Sequence, residues 1–125
     1  LDLQLLGIGG DGHIGFNEPG SSFDSRTRVE HLNQKSIDDN YEAFYKKAGV
    51  SKEEMPKKAI TMGVATIMEA KSLLMIVSGI GKADIIQKAL EGPVTTQITA
   101  SAIQTFKRDV TVILDKPAAS KLKKL

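Results

Sequence analysis

Leu3, Leu5, Leu6 and Ile8 crowd the first eight positions and give way at once to Gly9-Gly10. A short apolar run closed by glycine is the pattern of a central strand in a parallel sheet, and residues 1–8 are predicted to be one. Leu73 to Val77 form a second such run, ended by Ser78-Gly79-Ile80-Gly81, and Val110 to Leu114 a third. Between them the apolar spacing changes to that of helices. Lys82 to Leu90 places Ile85, Ile86 and Leu90 on one face and stops at Gly92-Pro93. Ser36 is the expected N-cap of a helix through Lys47, with Ile37, Tyr41, Phe44 and Tyr45 on one stripe. Shorter elements are expected at Ile60 to Met62 (strand), Val64 to Met68 (helix) and Ser101 to Phe106 (helical turn). A closing helix is expected over Pro117 to Leu125.

Buried strands alternating with helices predict an α/β fold, a Rossmann-like sheet of mainly parallel strands with flanking helices. Residues 9–35 break the alternation, because they are rich in Gly, Asn, Ser and Asp and show no sustained period. So long an irregular stretch inside a compact domain usually carries function. The first strand begins at Leu1, without an initiating methionine. A natural domain seldom starts in mid-sheet, so residues 1–125 are expected to be the C-terminal portion of a single larger domain.

Composition narrows the chemistry. Of 125 residues, 41% are hydrophobic and 26% charged, the balance of an ordinary globular domain. The net charge of +2 is too small to mark a nucleic-acid surface. The absence of cysteine removes disulfides, thiol nucleophiles and thiolate metal sites. No apolar run approaches membrane-spanning length and no leader pattern is seen, so a cytoplasmic location and no membrane or nucleic-acid partner are expected.

Ligands of open α/β sheets bind beyond the carboxyl ends of the strands, and the turns at residues 9–12 and 79–81 should open onto the same edge. The first turn leads into a segment holding Asp11, His13 and Glu18. Histidine moves protons in either direction near neutral pH, and a neighbouring carboxylate fixes its tautomer. Two carboxylates around one imidazole suit opening a sugar hemiacetal, where one proton leaves a hydroxyl and another joins the ring oxygen. The alternative is a surface loop whose Asp and Asn cap local turns. Lys82 opens a helix after the second turn, a place that favours anions, though a solvated lysine is the alternative there. Arg26 and Arg28 could bind a second anion or sit on the surface, and His31 stands alone. No metal-ligand spacing is evident, and Met62, Met68 and Met75 are core fillers.

The run Leu6-Gly7-Ile8-Gly9-Gly10-Asp11-Gly12-His13-Ile14-Gly15-Phe16-Asn17-Glu18-Pro19 closely resembles the signature of glucosamine-6-phosphate deaminases. The resemblance continues through Ser25-Arg26-Thr27-Arg28, Ala59-Ile60-Thr61-Met62-Gly63, Ser78-Gly79-Ile80-Gly81-Lys82-Ala83 and Ser101-Ala102. It implies aldose–ketose isomerisation and hydrolytic loss of ammonia, converting glucosamine 6-phosphate to fructose 6-phosphate in amino-sugar (N-acetylglucosamine) catabolism, without a metal or organic cofactor. In that family His13 would carry the ring-opening proton, with Asp11 and Glu18 holding it, and Lys82 would bind the substrate phosphate. The base acting between C1 and C2 belongs to the family's other half, so the isolated chain is expected to be inactive. Phe16-Asn17-Glu18-Pro19 separates the chain from 6-phosphogluconolactonases, which share only the Gly-x-Asp-Gly-His core.

Glu42 stands where the family has a phosphate-contacting arginine, which keeps galactosamine 6-phosphate and other hexosamine phosphates open as substrates. Glu30 stands where an allosteric pocket would need a basic residue, so activation by N-acetylglucosamine 6-phosphate is not expected. A non-catalytic sugar-phosphate sensor is the rival from another class, but it gains nothing from a proton relay. Family members occur as monomers and hexamers, which leaves a homo-oligomer open.

Overall fold

The computed structural model describes residues 1–124. Three parallel strands form the main sheet in the order β1-β4-β5: β1 is Leu3–Leu6, β4 Ser72–Val77 and β5 Asp109–Leu114. A second, antiparallel ribbon pairs β2 (Arg28–His31) with β3 (Lys58–Thr61). The helices are α1 (Gln34–Asn40), α2 (Val64–Met68), α3 (Ala83–Glu91) and α4 (Lys116–Ala119), with a 3₁₀ segment at Thr99–Thr105.

Strand alternation decides where the core lies. Leu6, Leu73, Met75 and Val77 point to one face and are buried, joined there by Ile85, Ile86 and Ala89 of α3 and by Ile103. Within α3 the apolar residues recur at the three- and four-residue spacing that lines one stripe of a helix. The other face of the sheet carries Leu3, Leu5, Ile76 and Ile113, all at least half exposed. Arg108 closes the C-terminal end of the α2 region by donating to the carbonyls of Glu69 and Ala70.

The α/β character, the three parallel strands and α3 stand as expected, but β5 is not the buried strand its apolar run implied: none of its residues is buried, because it forms the other edge of the sheet. Five further details differ. The first strand lies at an edge of the described sheet, not at its centre, because its only ladder is with β4. A strand, β2, occupies residues 28–31 of the stretch expected to be irregular, and its partner β3 begins two residues before the expected strand. The ribbon's Val29 and Ile60 face each other in solvent, so backbone pairing rather than apolar alternation defines it.

The third difference concerns the start of α1. Asn33, not Ser36, is its N-cap, its side-chain oxygen accepting from the Ser36 amide at 2.8 Å. Fourth, the helix expected to reach Lys47 stops at Asn40 and continues as one π-helical turn, Tyr41–Tyr45. Wider winding breaks the expected stripe, so Ile37 is buried while Phe44 is exposed. Fifth, the closing helix is a single turn capped by Asp115, and Leu125 lies outside the described residues.

The α3 packing generates a stability test. Ile86 has no exposed surface. Ile86→Ala should lower the unfolding free energy by about 2–5 kcal/mol in urea titrations, since it removes buried methylenes and leaves a cavity.

Candidate functional site

Parallel pairing of β1 with β4 sends both chain exits to one sheet edge. There the turn after β1 and the turn before α3 meet, and the Lys82 ammonium donates to the Ile8 carbonyl at 2.7 Å. A cleft of about 480 Å³ opens at this junction, lined by Gly9, Gly10, His13, Ser36, Phe44 and Lys82 among others. The two glycine turns therefore share one edge, as the sequence implied. The ammonium end of Lys82 sits beside the loop that carries His13.

The His13 ring lies against Gly9 so closely that a Cβ there would come 2.3 Å from Cε1. Only glycine fits beneath this imidazole. Gly12 holds the turn in the left-handed region, at φ 88°, and its carbonyl accepts from the Ala100 amide at 2.9 Å. Asp11 accepts from the backbone amide of His13 at 3.3 Å and meets its Nδ1 at 2.6 Å. With Asp11 ionised, Nδ1 carries the ring proton, which leaves Nε2 as the atom able to exchange one.

Burial resists ionisation of Asp11, but the His13 charge and hydrogen bonds from Asn33 and His13 outweigh it and hold the carboxyl below its ordinary value. Glu18 is buried. Its Oε1 accepts from the Ser36 hydroxyl at 2.7 Å, and its Oε2 has no hydrogen-bond partner among the described residues. One ligand atom each from Asp11, His13 and Glu18 lies within 4.8 Å of the others, and among the described residues this is the one grouping that could hold an ion.

The loop is anchored by uncharged polar side chains to which the sequence pattern assigns no part in the site. Asn17 has no exposed surface and donates to the carbonyls of Ile14 and Met62. Thr99 Oγ1 accepts from the Ile14 amide and donates to the Asn17 carbonyl, and Thr61 Oγ1 accepts from the Phe16 amide. Asn33 and Ser36 reach the carboxylates from α1. The sequence signal for these residues was faint: uncharged polar side chains next to apolar runs.

Asp11, His13 and Glu18 thus lie together, Lys82 lines the cleft that His13 also lines, and the two arginines stand apart. Arg28 is committed to partners of its own, Glu30 at 2.6 Å, Asn17 Oδ1 at 2.9 Å and Ser21 at 3.1 Å. Arg26 pairs with Glu69 on the surface. His31 is exposed on β2, and Glu42 pairs with Lys46 at 3.2 Å, also in solvent. The Gly79 amide of the second turn is taken by the Asp115 carboxylate, at 3.0 and 2.9 Å. Among the described residues no helix is long and apolar enough to cross a membrane.

Residues 1–112 match the family model of glucosamine-6-phosphate isomerases/6-phosphogluconolactonase. The chain is 49% identical over 122 residues to a glucosamine-6-phosphate deaminase of Clostridium botulinum, covering 98% of this chain and 48% of that protein. It is 50% identical over 122 residues to one of Streptococcus thermophilus, covering 98% of this chain and 50% of the relative. The solved structure of a monomeric glucosamine-6-phosphate deaminase superposes with a TM-score of 0.86 at 48% identity, over 96% of this chain and 47% of that one. A 6-phosphogluconolactonase from Trypanosoma brucei shares the fold, with a TM-score of 0.71 at 23% identity, over 98% and 43% of the two chains. The chain spans about half the length of the curated relatives it matches.

The depressed Asp11 has a consequence for acid stability. A carboxyl lowered on folding contributes stability above its ordinary value of 3.8 and loses it as pH falls through the folded value. Urea titrations of wild type and Asp11→Asn should therefore differ at pH 7 and converge on acidification below that value. A difference that persisted at low pH would contradict the ionic account.

Proposed function

Because the chain belongs to the glucosamine-6-phosphate isomerase/6-phosphogluconolactonase family, we propose that its full-length protein isomerises and deaminates glucosamine 6-phosphate. The products are fructose 6-phosphate and ammonia, so the net reaction consumes water and is hydrolytic. The observation that carries this reading is the imidazole of His13, bound to Asp11 on one side and lining the cleft it shares with Lys82.

The chemistry follows from those positions. The substrate phosphate lies at the Lys82 ammonium, a point charge whose direction is set by the Ile8 carbonyl. His13 Nε2 takes the proton of the anomeric hydroxyl and returns one to the ring oxygen, which opens the hemiacetal to an aldehyde. Asp11 stabilises the imidazolium formed in between, and buried Glu18 completes the relay. Transfer of the C2 proton to C1 and departure of ammonia from C2 need a base from the remainder of the relatives' length. Residues 1–125 are then a portion of one domain. The apolar residues on the open sheet face, Leu3, Leu5, Ile76 and Ile113, support a covering by that remainder.

Glu42 favours a second reading of the substrate alone. It replaces the expected phosphate-contacting arginine and is spent on Lys46, so another hexosamine phosphate such as galactosamine 6-phosphate is the alternative. The lactonase branch is less well supported, since Phe16-Asn17-Glu18-Pro19 continues the deaminase signature. We place the protein in the cytoplasm, in N-acetylglucosamine catabolism, as a homo-oligomer or a monomer, with the sugar phosphate as its partner and no cofactor. Arg28 has no place as an anion ligand in this reading, because Glu30 already occupies it.

The test is turnover of glucosamine 6-phosphate and galactosamine 6-phosphate by the full-length protein. His13→Ala should lower kcat by about 10²- to 10⁴-fold with little change in KM, the size of a general acid–base contribution. Lys82→Ala should instead raise KM by about tenfold or more, as expected for a lost charge-assisted contact. Wild-type binding of sugar phosphates without turnover would favour the sensor, and an active His13→Ala would remove the ring-opening role.

A further inference from the structure

Each of the two carboxylates beside His13 has a partner outside the loop that carries it. Asp11 Oδ1 is committed to His13, and its second oxygen, Oδ2, accepts from Asn33 Nδ2 at 3.3 Å. Glu18 Oε1 accepts from the Ser36 hydroxyl at 2.7 Å, with both side chains buried. Asn33 and Ser36 are themselves bonded, since the Asn33 side-chain oxygen accepts from the Ser36 amide at 2.8 Å. One amide side chain therefore caps α1 with its oxygen and holds Asp11 with its nitrogen.

We propose that Asn33 and Ser36 are positioning residues: the capped first turn of α1 sets the separation and orientation of the two carboxylates that flank His13. This rests on the functional reading above for its catalytic consequence, but the arrangement itself stands on the hydrogen bonds. Neither residue reaches a reacting atom in this role. Each acts through a carboxylate.

The geometry explains why both contacts come from one turn. Asp11 and Glu18 lie seven positions apart in a loop whose internal bonds fasten its backbone, so the two carboxylate side chains take their outside partners from another element. Asn33 and Ser36 are an N-cap and its third residue, whose separation is fixed by the helix itself. A shift of α1 would move both carboxylates together. The π turn Tyr41–Tyr45 continues from α1, and its Ala43 and Phe44 line the cleft, so contact with a ligand there would be felt at the relay.

The charged groups facing Asp11 are His13 and Glu18 on its own loop and Lys35 on α1, whose ammonium lies within its field. Asn33→Asp keeps an oxygen to cap α1 but exchanges the donor for an anion beside Asp11 Oδ2. In the full-length protein it should lower kcat about tenfold while lowering the melting temperature at neutral pH by only a few degrees, the small cost that linkage assigns to a raised Asp11. It should also move the acidic limb of the kcat/KM profile up by about one pH unit, the direction a second carboxylate imposes. Ser36→Ala keeps its backbone amide for the cap and should lower kcat about tenfold with KM little changed, the loss expected for one hydroxyl bond to a charged group. Ser36→Thr should restore it.

Wild-type kcat and pH profile in both variants would overturn the proposal. So would losses that track a falling melting temperature and are not rescued by Ser36→Thr. The ¹⁵N signal of His13 Nδ1 separates this from the functional reading, because it reports the bond to Asp11 whether or not any sugar phosphate is turned over. It should shift in Asn33→Asp; an unchanged signal in a protein without turnover would sink both ideas, and a shifted one only the activity.

Discussion

A fully buried amide, Asn17, has to satisfy every polar atom it carries, and the site depends on how it does so. Its nitrogen binds the carbonyls of Ile14 and Met62, and its oxygen takes the Arg28 guanidinium. Those bonds tie the loop to the exit of β3 and to β2. Thr99 adds the 3₁₀ segment by holding Ile14 and Asn17 from the other side. Although residues 9–19 lack regular structure, their backbone is a set of internal fastenings, and His13 inherits its position from them. The ion pair of Arg28 with Glu30 belongs to this scaffold, with the guanidinium occupied on its protein side.

Strand β4 and helix α3 were legible because apolar burial drives them, and burial leaves a period in the chain; β5 was legible from its apolar run alone, since none of its residues is buried. The candidate site was legible for a different reason. Asp11, His13 and Glu18 are neighbours in sequence, and Lys82 sits where parallel topology must bring it, at the exit of the adjacent strand. What escaped reading has no such trace. The ribbon of β2 and β3 is held by backbone bonds with apolar residues left outside, so its composition looks like loop. The π turn depends on where one carbonyl finds its donor, as that of Tyr41 does in the Lys46 amide. Ser36 was expected to cap the helix that Asn33 caps, since both are residues that do so and only the buried partner Glu18 distinguishes them.

The sheet is finished on one side only. Helix α3 and the 3₁₀ segment cover the face of Leu73, Met75 and Val77, and the face of Leu3, Leu5, Ile76 and Ile113 meets solvent. An unpaired edge at β1 borders that face. Such a surface invites strand pairing and apolar association. In the proposed reading the base for the C2 proton and the cover for this face come from the same place, which couples completion of the fold to completion of the chemistry.

The bond from Lys82 to the Ile8 carbonyl has a last consequence. An ammonium carries three protons, and the carbonyl engages one of them, which fixes the direction of the other two. A long flexible side chain normally gives up its rotamers when it closes on an anion, at about 2 kcal/mol for lysine. Here that loss occurs as the two turns come together during folding. The lysine meets any anion already aimed, so the entropy of ordering it is charged to the stability of the domain and not to the affinity of the site.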